Sequence, residues 1–174
     1  MDVDPYDLSV AELVPALADA LDQVHRDDTG EPSPQVLRPP ATEEALAALA
    51  RRRFGGQLPP SYEAFLRLHD GWQHYLGEVH ILGCEDHAQF WVRERLDALR
   101  QLVANDDEDD VFIPADAIPV LLGRGGRTFA WFAPSPRHDN GELDILQHDL
   151  EFGDLDQHSS FLGFLAEELS LALD

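Results

Sequence analysis

The run Leu58-Pro59-Pro60-Ser61-Tyr62-Glu63-Ala64-Phe65-Leu66-Arg67-Leu68-His69-Asp70-Gly71-Trp72 confines one stretch of this chain to a single short helix with a marked beginning and end. The two prolines stop the preceding segment from running straight in, and either Ser61 caps the first amides or one of the prolines opens the first turn. Tyr62, Phe65, Leu66 and His69 then share a face at helical spacing. Asp70-Gly71 supplies a residue tolerant of positive φ where the helix must stop, and Trp72 begins an extended segment in which a large ring closes over the core.

Similar punctuation organises the rest. Ser9 and Glu12 have capping-box spacing, and Val10, Leu13, Val14, Leu17, Leu21 and Val24 follow on one helical face. Pro15 removes one amide, so the regular helix begins or bends there. Residues 27–40, with Gly30, Pro32, Pro34, Pro39 and Pro40, read as a linker. This divides the chain into an N-terminal helix with a proline-rich linker, 1–40, and a domain over 41–174. Thr42 caps a second helix with Leu46, Leu49, Ala50 and Phe54 inward, Glu43 and Glu44 at its positive end and Arg51 to Arg53 at its negative end. Residues 72–75 and 78–82 form a hairpin, 87–104 a helix with Val92, Leu96, Leu99 and Val103 along its stripe, and 117–122, 128–133 and 142–148 a strand meander. Ser159 or Ser160 caps a closing helix with Phe161, Leu165, Leu169 and Ala172 inward. The order of elements gives an α+β fold, a single antiparallel or mixed sheet covered by helices.

Three blocks of this pattern also resemble a known family. The proline entry followed by an aromatic, Phe65-Leu66 and a turn ending in Gly71 is similar to the signature of the SUKH superfamily, the Smi/Knr-type domains of bacterial immunity proteins and fungal cell-wall regulators. Ile118-Pro119-Val120 resembles that family's strand entry, and Phe161-Leu162 with Phe164-Leu165 its closing amphipathic helix. The likeness runs from about residue 42 onward and leaves out the first forty or so. Asp70 stands where the family often has Asn, and the Gly123-Arg124-Gly125-Gly126 turn is not a family hallmark. The resemblance implies a SUKH-like fold and a non-enzymatic immunity protein that binds and neutralises a cognate toxin.

Charge shapes that expectation. The chain has 174 residues with no Lys, twelve Arg and 34 acidic residues, for a formal net charge of −22. Such a field repels phosphate backbones, so no nucleic acid is expected as a direct partner, and it suits a toxin with a basic surface, as nucleic-acid-targeting toxins have. Without Lys, neither a Schiff base nor the lysine of a P-loop is available. One cysteine, Cys84, cannot form an internal bridge, and no signal-peptide pattern or long apolar run occurs, so a cytoplasmic protein without membrane contact is expected.

The chemistry-bearing residues are weighed against packing in the same way. Gly123 to Arg127 has the glycines of an anion cradle but leads into a strand, which favours a hairpin turn. His69, His74, His80, Cys84 and His87 fit no metal-ligand spacing, and no nucleophile, base and orienter line up. No catalytic residue, metal or cofactor is therefore assigned. The acidic run at Asp106, Asp107, Glu108, Asp109 and Asp110 lacks the spacing of a calcium loop and reads instead as a lure for a cationic partner. Together with Glu85, Asp86, Asp139, Glu142, Asp144 and an aromatic anchor, Trp91, it makes up the expected partner-binding set. The competing reading is a regulatory scaffold of the same fold serving an endogenous partner. Salt adaptation of the source would explain the acidity without any binding role.

Overall fold

The computed structural model describes residues 4–105 and 111–174. Its chain order is α1 (Val10–Thr29), β1 (Val36–Leu37), α2 (Glu43–Arg53), α3 (Pro60–Leu68), β2 (Trp72–Leu76), β3 (Val79–Ile81), α4 (Phe90–Ala104), β4 (Ile118–Gly123), β5 (Thr128–Phe132), β6 (Ile145–Asp149), β7 (Leu155–His158) and α5 (Phe161–Leu173), with short 3-10 turns at Pro5–Asp7 and Asp86–Ala88. The seven strands form one sheet whose spatial order follows the chain, β1 through β7, and every neighbouring pair is antiparallel. This is the expected α+β architecture, with the sheet purely antiparallel.

Side-chain alternation explains the layering. Along β5, Phe129 and Trp131 point into one apolar cluster while Ala130 and Phe132 point into the other. On the first face, α1, α2, α3 and α5 cover Trp72, Val79, Ile81, Val120, Phe132 and Ile145. On the second, α4 lays Val92, Leu96, Leu99 and Val103 over Leu82, Leu122, Phe129 and Trp131. Helices on both faces are why β4 is buried along its whole length and reads as an unbroken apolar run.

The short proline-entered helix forms as its sequence dictates, with Pro60 at its first position and Tyr62, Phe65 and Leu66 fully buried. Ser61 is not the cap. Pro59 occupies that position, and the Ser61 amide donates instead to Glu142 Oε1 at 2.8 Å. Past the helix, Gly71 turns at φ 97°, and a Cβ there would lie 2.8 Å from the Gly83 backbone nitrogen, so any other residue meets both strain and a clash.

Pro15 neither starts nor breaks α1, which is continuous from Val10 to Thr29 with the Ser9 amide donating to Glu12 Oε2 at 2.9 Å. An interior proline costs about 3 kcal/mol. Leu13, Val14 and Leu17 are fully buried against the core, and at roughly 1.5–3 kcal/mol each they outweigh that cost. The segment expected as a linker is ordered and attached. The Ser33 amide donates to Asp22 Oδ1 (2.7 Å), Gln35 Nε2 donates to the Ala18 carbonyl (2.8 Å), and Trp72 Nε1 donates to Gln35 Oε1 (3.0 Å). Val36–Leu37 adds to β2 as an edge strand, a sheet position that tolerates nearby prolines.

Candidate partner-binding face

One edge of the sheet is β7, which pairs with β6 and leaves its other side without a strand; the opposite edge is β1. Beside it runs a groove of about 540 Å³ between β7 and α5, lined by Tyr6, Asp156, His158, Glu167, Glu168 and Leu171 among others. No arginine lines it, so its fixed charge is carboxylate alone. Two of these carboxylates are held by neutral donors. Tyr75 Oη donates to Glu168 Oε2 at 2.6 Å and Gln147 Nε2 to Glu168 Oε1 at 3.1 Å, while the Tyr6 hydroxyl donates to Glu167. These hydrogen bonds fix position without cancelling charge. Burial and then the charge of Glu168 raise the Tyr75 pKa well above its ordinary value, and for Tyr6 the hydrogen bond to Glu167 is the main cause of a rise, so both remain neutral donors. His158, in the same wall, is lowered by burial against the opposing pull of Glu168, Asp156 and Glu167, and therefore adds little positive charge at neutral pH.

Elsewhere several acidic side chains pair with arginines. Asp22 binds Arg26, Glu43 and Glu63 bind Arg67, Asp97 binds Arg100, and Glu151 binds Arg127. Leu171, in the groove lining, is exposed, and outside the lining Leu155 at the start of β7 and Phe152 in the turn before it, 73% exposed, also reach solvent. The groove therefore combines prepositioned carboxylates with one exposed apolar side chain, Leu171, in its lining.

The residues expected from the sequence fall differently. Glu85 and Asp139 are exposed, the first before the 3-10 turn at Asp86–Ala88 and the second in the loop between β5 and β6, and they do not share a groove. Asp86 is tied to Arg38 and also accepts from the Gly83 amide at 2.7 Å, so its charge is used inside the chain. Asp144 contacts His138 Nε2 at 2.7 Å and accepts from Gln157 Nε2 at 2.9 Å. Among the described residues of that set, it is the one in hydrogen-bond contact with the groove lining, since Gln157 belongs to the lining.

Glu142 needs correction as a surface contact. It is 6% exposed, and both carboxylate oxygens accept from Ser61, at 2.8 Å from the amide and 3.0 Å from Oγ. Trp91 is partly buried against the α4 face, with the Arg124 guanidinium 5.0 Å from its ring centre and the His80 ring edge-on to it. Its neighbour Phe90 is the exposed aromatic here, at 70%. Asp106, Asp107, Glu108, Asp109 and Asp110 lie outside the described residues.

Sequence reasoning missed Asp156, Glu167 and Glu168. Leu155 to His158 has too few apolar residues to announce a strand, and without β7 nothing brings α5's carboxylates to a sheet edge. The signal lay in Glu151 to Asp154, a polar turn around Gly153 that closes the β6–β7 hairpin.

Among the described residues, no three or more His, Cys, Asp or Glu side chains converge as a metal ion requires. Burial pushes the Cys84 thiol up to about 12, far from a reactive thiolate. No helix among the described residues is long and apolar enough to cross a membrane.

No curated protein matches the chain. The sequence profile described as "SMI1 / KNR4 family (SUKH-1)" matches residues 40–164, which takes in every element from α2 to the first turn of α5. That span covers most of the chain and coincides with the helix-flanked meander, so the protein belongs to the SMI1/KNR4 family, SUKH-1.

Proposed function

We propose that this chain is a non-enzymatic immunity protein, and that it neutralises a cognate toxin by seating the toxin's cationic surface on the acidic groove between β7 and α5. Family membership is consistent with an immunity role and implies a protein partner in general. The observation that carries the finer reading is the state of Glu167 and Glu168. Both are positioned by neutral donors and neither is paired with an arginine, so their charge is available to a partner. A toxin that acts on nucleic acid needs a cationic groove, and fixed carboxylates at this edge meet it in the manner of phosphates. Phe152 and Leu155 supply the apolar contacts such an interface needs at its centre.

The test is affinity capture of the adjacent gene's product after co-expression. A stoichiometric complex is expected, weakening as salt rises. The triple variant Asp156→Arg, Glu167→Arg, Glu168→Arg is expected to weaken it by at least roughly tenfold. Capture and cellular protection that survive the charge reversal would sink the acidic-groove reading. Absence of any complex with that product would favour a scaffold for an endogenous partner.

A further inference from the structure

On the other side of the molecule a groove of about 780 Å³ opens between α2 and the start of α4. Its floor includes the apolar Ala45, Ala48, Leu49 and Ala88, and its charged lining includes Arg52, Arg53 and Arg93. Most arginines of the chain are engaged. Arg26, Arg38, Arg67, Arg100 and Arg127 pair with carboxylates, Arg95 and Arg137 bind backbone carbonyls, and Arg124 covers Trp91. Among the described residues, Arg51, Arg52, Arg53 and Arg93 have no such partner, and three of these four line one groove. In a chain carrying −22, with carboxylates in large excess, unpaired guanidinium groups brought together require an explanation.

Three further observations bear on the same place. Arg53 and Arg93 are close enough to repel, and partial burial together with that repulsion holds Arg53 below the usual arginine value. The N-terminus of α4 adjoins the groove with no side-chain cap and no acidic residue in its first turn, so its positive end is not offset locally. His87, 8% exposed and part of the lining, lies with Nε2 3.0 Å from Tyr62 Oη, whose hydroxyl donates to the Leu82 carbonyl at 2.5 Å. That arrangement places the imidazole proton on Nε2 and leaves Nδ1 a buried acceptor without a donor among the described residues.

We infer that this groove is a binding site for a small phosphate-bearing molecule with an apolar or aromatic body. Guanidinium groups and free helix amides bind a phosphoryl group by charge and by paired hydrogen bonds, and the alanine-leucine floor receives the remainder. The volume lies in the range of small-molecule sites. Glu44 and Glu85 line the groove beside the three arginines, so its net positive charge is small, and a compact ligand is favoured over a nucleic-acid strand because the surrounding negative field repels an extended polyanion. This site is separate from the acidic groove and does not depend on the immunity reading.

The experiment is titration of the full chain with phenyl phosphate, inorganic phosphate and benzoate, followed by amide chemical shifts. Phenyl phosphate is expected to give saturable shifts at Phe90, Trp91 and Val92 and to bind roughly tenfold tighter than either other probe, since only it offers both a phosphoryl group and an apolar body. The double variant Arg53→Gln, Arg93→Gln is expected to lose that binding by at least roughly tenfold while keeping its thermal midpoint, because no intramolecular partner is removed. Absence of saturable shifts, equal affinity for all three probes, or unchanged binding by the variant would each overturn the inference. Capture of the adjacent gene's product by the variant should persist. Loss of capture would mark the groove as the partner's docking surface and overturn the small-ligand assignment.

Discussion

Replacing Glu142 by alanine is expected to lower the unfolding free energy by about 3 kcal/mol, although the sequence presents this residue as one more surface carboxylate. Its two oxygens accept from the amide and hydroxyl of Ser61 in the first turn of α3, and the same hydroxyl accepts from the Leu162 amide at 3.1 Å. One carboxylate thus fastens the loop before β6 to the start of α3, and Ser61 fastens α3 to the start of α5. Hydrogen bonds to a charged acceptor contribute roughly 1.5–3 kcal/mol each, and a carboxylate at a helix N-terminus adds to that through the dipole. The alanine variant leaves the Ser61 amide buried without an acceptor. Glu142→Gln keeps one acceptor oxygen and the volume, so its loss should be about 1 kcal/mol. Urea unfolding of both variants measures the difference. An alanine variant within about 0.5 kcal/mol of the parent would show that water takes over both bonds at no cost, and that the residue is effectively exposed.

Between pH 7.5 and pH 5, stability is expected to fall by about 2 kcal/mol through His87 alone. Burial, followed by the nearby Arg53 charge, pushes its pKa down to about 3 from an ordinary 6.5. A depressed histidine favours the fold while the unfolded chain is also neutral. As pH drops below 6.5 the unfolded state takes a proton that the folded state refuses, and the stabilisation is lost progressively until the folded group titrates near 3. The slope approaches about 1.4 kcal/mol per pH unit inside that window. His80 and His158 are also lowered, chiefly by burial, and act in the same direction. Urea midpoints of the parent and His87→Phe at pH 7.5, 6 and 5 isolate the effect, since carboxylates titrate mainly below this range. The phenylalanine variant should show a flatter profile. Parallel profiles would mean that the imidazole is protonated in the folded protein.

The sheet-covered-by-helices architecture was legible where local signals agreed. Pro60, Tyr62, Phe65 and Gly71 specify α3 almost residue by residue because start, face and stop all lie within it. Thr42 and Ser160 cap α2 and α5 as their hydroxyls suggest. What failed were features that depend on distant contacts. Pro15 reads as a start or bend of the helix because its compensation comes from burial of Leu13, Val14 and Leu17 against other elements. The proline-rich stretch after α1 looked unattached because its anchors, Asp22, Ala18 and β2, are contributed from outside it. The same reasoning applies to the site. Charge density in the sequence pointed to Asp86 and Glu142, yet both are used internally. Glu167 and Glu168, which no arginine pairs with, sit in an apolar-looking helix whose exposure is decided by β7.

Helix α1 lies along α5 even though the whole sheet separates them in the chain. During synthesis, α1 would leave the ribosome with Val10, Leu13, Val14 and Leu17 uncovered, and the surface that finally shields them follows every strand of the meander. Hairpins can pair one after another as they emerge, but closure of the larger apolar layer must wait for Phe161, Phe164 and Leu165. The nascent polypeptide therefore carries an apolar helix face that α3 can cover only in part until α5 emerges.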